Sequence, residues 1–177
     1  MYIVELILSA LAVLLILTIH EFSHAYAAYK LGDTTARNLG RLSLNPLKHL
    51  DPFGALCMVL FHFGWAKPVP INPRNFKNPK RDFAITALAG PLSNMIFAFL
   101  SALLFLVLNS AFSPILSTSL AANGFVATLA YNLLKFVAIF HQINIGIGLF
   151  NLIPIPPLDG SRILNVILPP KYYFGIM

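Results

Sequence analysis

Three apolar segments, each long enough to cross a lipid bilayer, constrain this chain more than any other feature of its sequence. They run from Tyr2 to Tyr29, from Phe83 to Leu108 and from about Leu129 to Ile153. At 1.5 Å per residue the first forms a helix of about 42 Å, and the hydrocarbon core of a bilayer is about 30 Å thick. Because 58% of the residues are apolar and only 10% are charged, the chain lacks the polar surface of a soluble domain. The sequence therefore predicts an all-α polytopic membrane protein with three core transmembrane helices, integral to the cell membrane.

The basic residues are concentrated in one part of the chain. Nine of the twelve lie between residues 30 and 81. This clustering is typical of the cytoplasmic loops of membrane proteins and not of a surface that follows a phosphate backbone. We therefore expect the basic loops at residues 30–50 and 67–81 to be cytoplasmic, and we expect the lipid bilayer, but no nucleic acid, as a partner. The nine are Lys30, Arg37, Arg41, Lys48, Lys67, Arg74, Lys77, Lys80 and Arg81.

Two shorter elements are predicted between the first two spans. Phe53–Ala66 is apolar, but its 14 residues would make a helix of only about 21 Å, and basic loops flank it on both sides. A re-entrant segment, which enters and leaves the bilayer on one side, satisfies both facts. Before it, polar and apolar residues alternate loosely over Arg37–Asn45, which predicts a short β element at the cytoplasmic side.

Glycine, proline and charge set the expected limits of the spans. Gly32 is expected to end the first helix just after Lys30, and Pro154–Pro157 must break the third. Residues 109–128 carry no charge and are interpreted as an outer loop or interfacial helix, with Lys135 near the outer end of the third span. The first segment lacks the basic start and cleavage site of a signal peptide, so we expect it to be retained. No soluble-domain boundary is visible, and residues 1–177 are interpreted as a single membrane-embedded core.

The first span contains an H-E-x-x-H motif, from His20 to His24. On a helix, residues i and i+4 lie on one face about 6 Å apart, so both imidazoles can bind one metal ion. Glu21 is then placed to act as a base on water at the metal. Because histidine and glutamate are costly inside an apolar helix, a metal site is favoured over the alternative, in which these polar residues hydrogen-bond within the bundle interior.

A catalytic zinc ion normally has three protein ligands, so a third is expected elsewhere. The chain has only six acidic residues, and Glu5 is about four helical turns from His20 on the same helix. Asp159 comes directly after the helix-breaking prolines, and broken backbone at membrane depth often marks a functional site. Asp159 is therefore the favoured third ligand, with a helix-capping role before Arg162 as the alternative. Three other carboxylates lie in or beside the basic loops and are interpreted as solvated charges: Asp33, Asp51 and Asp82.

Four separated motifs occur in the order His20–His24, Phe63–Asn72, Ala89–Asn94 and Asn151–Gly160. Together they resemble the site-2 proteases, a family of intramembrane zinc metalloproteases, and the second is similar to the compact bacterial and archaeal branch. The resemblance covers nearly the whole chain. Unlike in many members, we expect no PDZ insertion and no CBS domain in this chain. It also stops at Met177, where relatives commonly enter another span, so we expect either a shortened chain or an unusually small member.

The resemblance implies a zinc metalloendopeptidase that hydrolyses a peptide bond in or near a transmembrane helix of a single-span membrane protein, as in regulated intramembrane proteolysis. It implies one Zn²⁺ per chain, bound by His20, His24 and Asp159. It also implies that Glu21 is the catalytic base and that Asn151 contacts the substrate backbone or helps to stabilise the transition state.

Alternatives are open for the role of Asn94 and for the function of the protein. Asn94 either lines the site, where it would contact substrate or the transition state, or hydrogen-bonds a neighbouring helix. Other functions that fit a membrane metal site are a zinc protease that cuts exposed loops, a metal-binding transporter and a catalytically silent membrane chaperone. A loop-cutting protease usually takes a glutamate as third ligand, and none remains after Glu21; a transporter usually shows internal repeats, and none is visible. The oligomeric state cannot be inferred from the sequence.

Overall fold

The computed structural model describes residues 2–54, 57, 65–119 and 124–167, and most of them are helical. In chain order the helices are α1 (Tyr2–Lys30), α2 (Thr35–Asn38), α3 (Pro79–Ser119), α4 (Phe125–Asn151) and α5 (Asp159–Ile167). Residues 52–54 and 57 are also helical, and single 3-10 turns lie at Pro46–Lys48 and Pro73–Asn75.

Three of these helices, α1, α3 and α4, are long and apolar enough to cross a membrane. Large apolar side chains along them are exposed, for example Phe99 and Leu106 on α3, each 64% exposed. Such a continuous apolar surface is stable in lipid and not in water. The prediction of a helical membrane protein with three core spans is therefore confirmed. Gly32, with φ of +108°, follows the end of α1 as expected, because glycine adopts this left-handed region without strain.

The second span is longer than predicted. We expected it to end at Leu108 and to give way to an outer loop or interfacial helix, but α3 continues to Ser119. Residues 109–119 contain no charge and, apart from Pro114, nothing that would end a helix. At 1.5 Å per residue α3 is about 60 Å long, about twice the thickness of the hydrocarbon core.

The β element predicted over Arg37–Asn45 is wrong. The chain forms the short helix α2 and then irregular backbone, and the described residues contain no strand, only an isolated bridge between Leu50 and Ala66. Arg41 occupies the middle of the predicted element, and its guanidinium turns inward to donate a hydrogen bond to the Lys67 carbonyl oxygen (2.6 Å). The loose alternation of leucines did not indicate a strand, since the described part of the chain places no strand beside it to pair with.

Most of the predicted re-entrant segment, Phe53–Ala66, lies outside the described residues. Its two ends, however, lie side by side. Leu50 and Ala66 form an antiparallel bridge, and the Lys67 amide donates to the His49 carbonyl oxygen (2.9 Å). A chain that leaves and returns at one place is what a re-entrant segment requires.

Small residues allow the three spans to pack closely. The buried apolar side chains between them are mostly alanines, and α3 contacts α1, α4 and α5. In lipid, where burying apolar surface gives little free energy, close contact between small residues is a principal means of holding helices together. An ion pair between Glu5 of α1 and Lys135 of α4 links these helices at the end of α1 away from the basic loops.

Candidate metal centre

The two histidines of the H-E-x-x-H motif lie side by side on α1, where helical spacing predicts them. Both are buried, and their Nε2 atoms are 3.0 Å apart. The imidazole rings meet edge to face, with centroids 4.6 Å apart. Their ring nitrogens therefore point at one common position instead of into separate parts of the bundle.

Asp159 is brought to the same position by the break after α4. The helix ends at Asn151, the chain turns through residues 152–158, and α5 begins at Asp159. The Oδ2 atom of Asp159 is 3.1 Å from Nε2 of each histidine, across more than 130 positions of sequence. Gly160 permits this approach, because a side chain there would overlap the carbonyl oxygens of Leu152 and Ile153. The structure thus brings together the three residues predicted as ligands.

These three side chains fit a zinc ion. His20, His24 and Asp159 are the one group of candidate metal ligands found among the described residues. Ligand atoms at about 2.0–2.1 Å from a tetrahedral ion are about 3.3–3.4 Å apart, close to the 3.0–3.1 Å seen here. Two imidazole nitrogens and one carboxylate oxygen form a donor set that is typical of catalytic zinc.

The far sides of both imidazoles support the same assignment. Nδ1 of His24 donates to the Thr86 carbonyl oxygen (2.7 Å), and Nδ1 of His20 donates to Oδ1 of Asn94 (2.5 Å). With the hydrogen on Nδ1, each neutral ring directs the Nε2 lone pair at Asp159. Three acceptor atoms that face one another need positive charge between them, which a metal ion provides.

Glu21, the predicted base, lies beside the cluster and is held by backbone from a distant part of the chain. Its Oε2 accepts a hydrogen bond from the Val69 amide (2.8 Å). Val69 belongs to residues 66–72, which we call the 66–72 segment. The other carboxylate oxygen of Glu21 has no hydrogen bond to a described residue, so it can receive a proton.

Two buried side chains from the chain that follows α1 hold the 66–72 segment in place. Arg41 donates to the carbonyl oxygens of Lys67 and Pro68. Asp33 accepts from the Asn72 amide (2.7 Å) and from the Asn75 side chain (2.7 Å). The position of the predicted base therefore depends on contacts that the H-E-x-x-H motif does not reveal.

Gly90 allows α3 to pass directly against the metal centre. A methyl group at this position would lie within 2.7 Å of ring atoms of both His20 and His24. No side chain larger than hydrogen fits there unless the imidazoles move. The glycine of the Ala89–Asn94 motif thus has a steric role at the site.

Asn94 lies at the site and also hydrogen-bonds a neighbouring helix. It lies against His20 at the site, and its Nδ2 also donates to Oδ1 of Asn144 on the neighbouring helix α4 (3.0 Å). The side chain of Asn151, in contrast, donates to the Ile147 carbonyl oxygen of its own helix (3.0 Å) and makes no hydrogen bond to the cluster. Contacts of Asn94 and Asn151 with substrate remain predictions.

The interpretation of the loop carboxylates as solvated charges is wrong for two of the three. Asp33 is 0% and Asp82 1% exposed, and only Asp51 is partly exposed. Asp33 is buried because its hydrogen bonds hold separate segments together, as described above. Asp82 accepts from the Asn78 amide at the start of α3 and pairs with Arg81.

Sequence reasoning missed the groups that orient the site. The Thr86 carbonyl and the Val69 amide belong to the backbone, so the residue types in the sequence do not indicate their role. Asn144 could have been found, because a buried asparagine in an apolar span is costly unless it has a partner.

The fold and the site together define a class of protein. Three apolar spans surround a cluster of two histidines and an aspartate, with a glutamate next to the first histidine, as in a zinc-dependent peptidase embedded in the membrane.

Comparison with known proteins places the chain in a particular family. Residues 8–171 match peptidase family M50. The protein named "Putative zinc metalloprotease YwhC" of Bacillus subtilis is 46% identical over 153 residues, which cover 86% of this chain and 65% of that protein. "Putative zinc metalloprotease Rip2" of Mycolicibacterium smegmatis is 30% identical over 166 residues, covering 89% of this chain and 56% of that protein. The chain belongs to peptidase family M50, the site-2 protease family, and the resemblance identified from its motifs is confirmed.

The chain spans between about half and two thirds of the length of these curated relatives. No solved structure gives a significant match to it.

Proposed function

We propose that this protein is a zinc-dependent endopeptidase that cuts a peptide bond in or near a transmembrane helix of a single-span membrane protein. The observation that carries the proposal is the convergence of His20, His24 and Asp159 next to Glu21 inside a bundle of membrane-spanning helices. Family membership and the zinc metalloprotease names of the relatives support the same activity.

The depth of the cluster supports cleavage inside the membrane. His20 lies ten residues before Lys30, the last residue of the continuous helix α1. That distance along a helix is about 15 Å. A site at this depth is better suited to a peptide bond within a membrane-spanning helix than to one in an exposed loop.

An apolar cavity beside the catalytic helix supports an apolar substrate. Its volume is about 220 Å³, and it lies between α1 and the backbone on either side of the predicted re-entrant segment. Leu17 and Thr18, about one turn before Glu21, line it, as do Trp65 and Ala66 at the start of the 66–72 segment. The cavity thus follows one face of α1 and ends about one helical turn before the proposed base.

In the proposed reaction Glu21 moves the proton. Its free carboxylate oxygen takes a proton from the attacking water and delivers it to the leaving amine, while the Val69 amide holds the other oxygen. Zinc, when bound by His20, His24 and Asp159, supplies a Lewis acid that polarises the scissile carbonyl and makes water in the site more acidic. The Nδ1 hydrogen bonds keep both imidazoles in the tautomer that can bind the metal.

We also propose the orientation of the protein in the cell membrane. The lysines and arginines of residues 30–50 and 67–81 support a cytoplasmic location for these loops. The Glu5–Lys135 pair then lies toward the outer face.

Cleavage of a single-span reporter in proteoliposomes tests the proposed activity. We expect Glu21→Gln to keep its zinc, measured by metal analysis, and to cut about 10²–10⁴-fold more slowly, because it loses only the proton carrier. Glu5→Gln, the same change at the far end of α1, is the matched control and should cut at the wild-type rate per folded molecule. Full activity of Glu21→Gln would refute the assigned base, and mass spectrometry that finds cuts only in exposed loops would favour the loop-cutting alternative.

A further inference from the structure

A buried hydrogen-bonded chain connects α4 to the metal centre through two asparagines. Asn94 and Asn144 are 1% and 2% exposed, in an interior whose buried apolar side chains are mostly alanines. Nδ2 of Asn144 donates to the Phe140 carbonyl oxygen (2.9 Å), Oδ1 of Asn144 accepts from Nδ2 of Asn94 (3.0 Å), and Oδ1 of Asn94 faces Nδ1 of His20 (2.5 Å). The oxygen and the nitrogen of each carboxamide therefore both take part in a hydrogen bond.

The direction of this chain is set at one point. The Phe140 carbonyl can only accept a hydrogen bond, so the amide nitrogen of Asn144 must point toward it. The oxygen of Asn144 then faces Asn94, which fixes the amide nitrogen of Asn94 in turn. The oxygen of Asn94 is left facing His20, and Nδ1 of His20 must carry the hydrogen.

If the carboxamide of Asn144 were turned by about 180°, the donor and acceptor roles in the hydrogen bonds to Asn94 and His20 would be exchanged. The amide group of Asn94 would turn its nitrogen toward His20, whose hydrogen would then sit on Nε2. In that tautomer the ring directs a hydrogen at His24 and Asp159 and cannot bind a metal ion through Nε2. His24 needs no such chain, because its Nδ1 donates directly to a backbone carbonyl, that of Thr86.

We infer that Asn144 is a positioning residue of the metal centre, which fixes the orientation of Asn94 and thereby the metal-binding tautomer of His20. This inference rests on the proposed zinc site and assigns it a support on α4, a core span that contributes no ligand. Asn144 touches neither the ligand atoms nor Glu21 and has no catalytic role of its own.

Zinc affinity, measured by competition with a chromophoric chelator in the full-length folded protein, tests the inference. We expect Asn144→Leu, which keeps the size but removes both hydrogen bonds, to weaken zinc binding about 10–100-fold, the usual loss when a partner of a metal ligand is removed. Asn144→Asp should bind within about threefold of wild type. As a buried carboxylic acid it can donate to the Phe140 carbonyl and still accept from Asn94. Gln142→Leu, an exposed position on the same helix, is the control and should bind as wild type.

A purely structural role for Asn144 predicts a different pattern. In that case Asn144→Leu would have a lower thermal stability, but the folded variant would bind zinc with wild-type affinity. That result would overturn the inference. If Asn144→Leu does not fold, Asn144→Ala removes the same carboxamide and should show the same loss. Combining Asn94→Leu with Asn144→Leu should weaken binding no more than Asn94→Leu alone, since both act through one contact; additive losses would contradict this. Because no substrate is used, an inactive wild-type protein would count against the proposed function and leave this result standing.

Discussion

At the scale of single residues, the metal centre depends on the missing side chain of Gly90 as much as on the candidate ligands. His20 and His24 can approach Asp159 only because Gly90 leaves space on the facing helix. The two imidazoles are in turn held from behind by Asn94 and by the Thr86 carbonyl oxygen. A ligand set of three residues is thus positioned by several others that never touch the metal.

Gly90→Ala should therefore damage the site without removing a ligand. The added methyl would lie within 2.7 Å of both imidazole rings, so the rings or α3 must shift. Overpacking of this kind costs about 1–3 kcal/mol. If that cost falls on the metal-bound form, zinc affinity drops about 5- to 150-fold, which equilibrium competition with a chelator measures.

Gly146→Ala provides the matched control for this prediction. It is the same substitution within a membrane-spanning helix, but nothing lies within 4 Å of the added methyl group. We expect wild-type zinc affinity from it. Equal affinities of the two alanine variants would show that Gly90 has no steric role at the site.

At the scale of elements, the 66–72 segment positions the predicted base, Glu21, just as the helices position the candidate metal ligands. It has no regular secondary structure, yet its backbone forms hydrogen bonds with the side chains of Arg41, Glu21 and Asp33. The pKa of Asp33 reflects this role: burial alone would raise it, but hydrogen bonds from Thr35, Asn72 and Asn75 stabilise the carboxylate and hold the pKa below its usual 3.8.

The stabilisation supplied by Asp33 should depend on pH. Because its pKa is lower in the folded protein, this contribution is fully present above about pH 3.8 and is lost as the pH falls through the lowered folded-state value. Asp33→Asn should then lower the free energy of unfolding by about 1–3 kcal/mol at pH 7, as expected for hydrogen bonds to a charged group. Unfolding in the presence of a chelator, from pH 7 to pH 3, measures the difference without a contribution from metal.

The pH dependence separates this role from a general effect of mutation. The difference between wild type and Asp33→Asn should shrink below pH 3.8, and a constant difference would contradict the prediction. Asp51→Asn is the control, since the Asp51 carboxylate accepts only from the amides of Phe53 and Gly54 in its own turn.

At the scale of the whole molecule, the metal centre joins distant parts of the chain. The first span supplies two ligands and the turn after the third span supplies the other, 135 to 139 positions away in sequence. Such a site does not exist in the unfolded chain, so zinc binds the folded state selectively.

Zinc should therefore stabilise the fold as a whole. At a free zinc concentration 1,000 times the dissociation constant, the expected gain in the free energy of unfolding is about 4 kcal/mol. Thermal unfolding in detergent, with zinc and with a chelator, measures the gain. Asp159→Ala retains two ligands and should lose most of it; identical unfolding of the wild-type protein with and without zinc would exclude a centre of this kind.

The sequence alone determined the features that depend on neighbouring residues. Apolar length located the three spans, helical spacing placed His20 and His24 on one face, and the prolines at 154–157 ended the third span, because each of these follows from local backbone geometry. Only the tertiary structure decided the rest. Whether Asp159 reaches the histidines, which nitrogen of His20 is free, and why residues 37–45 form no strand all depend on contacts between segments far apart in the chain, and no local pattern encodes those distances.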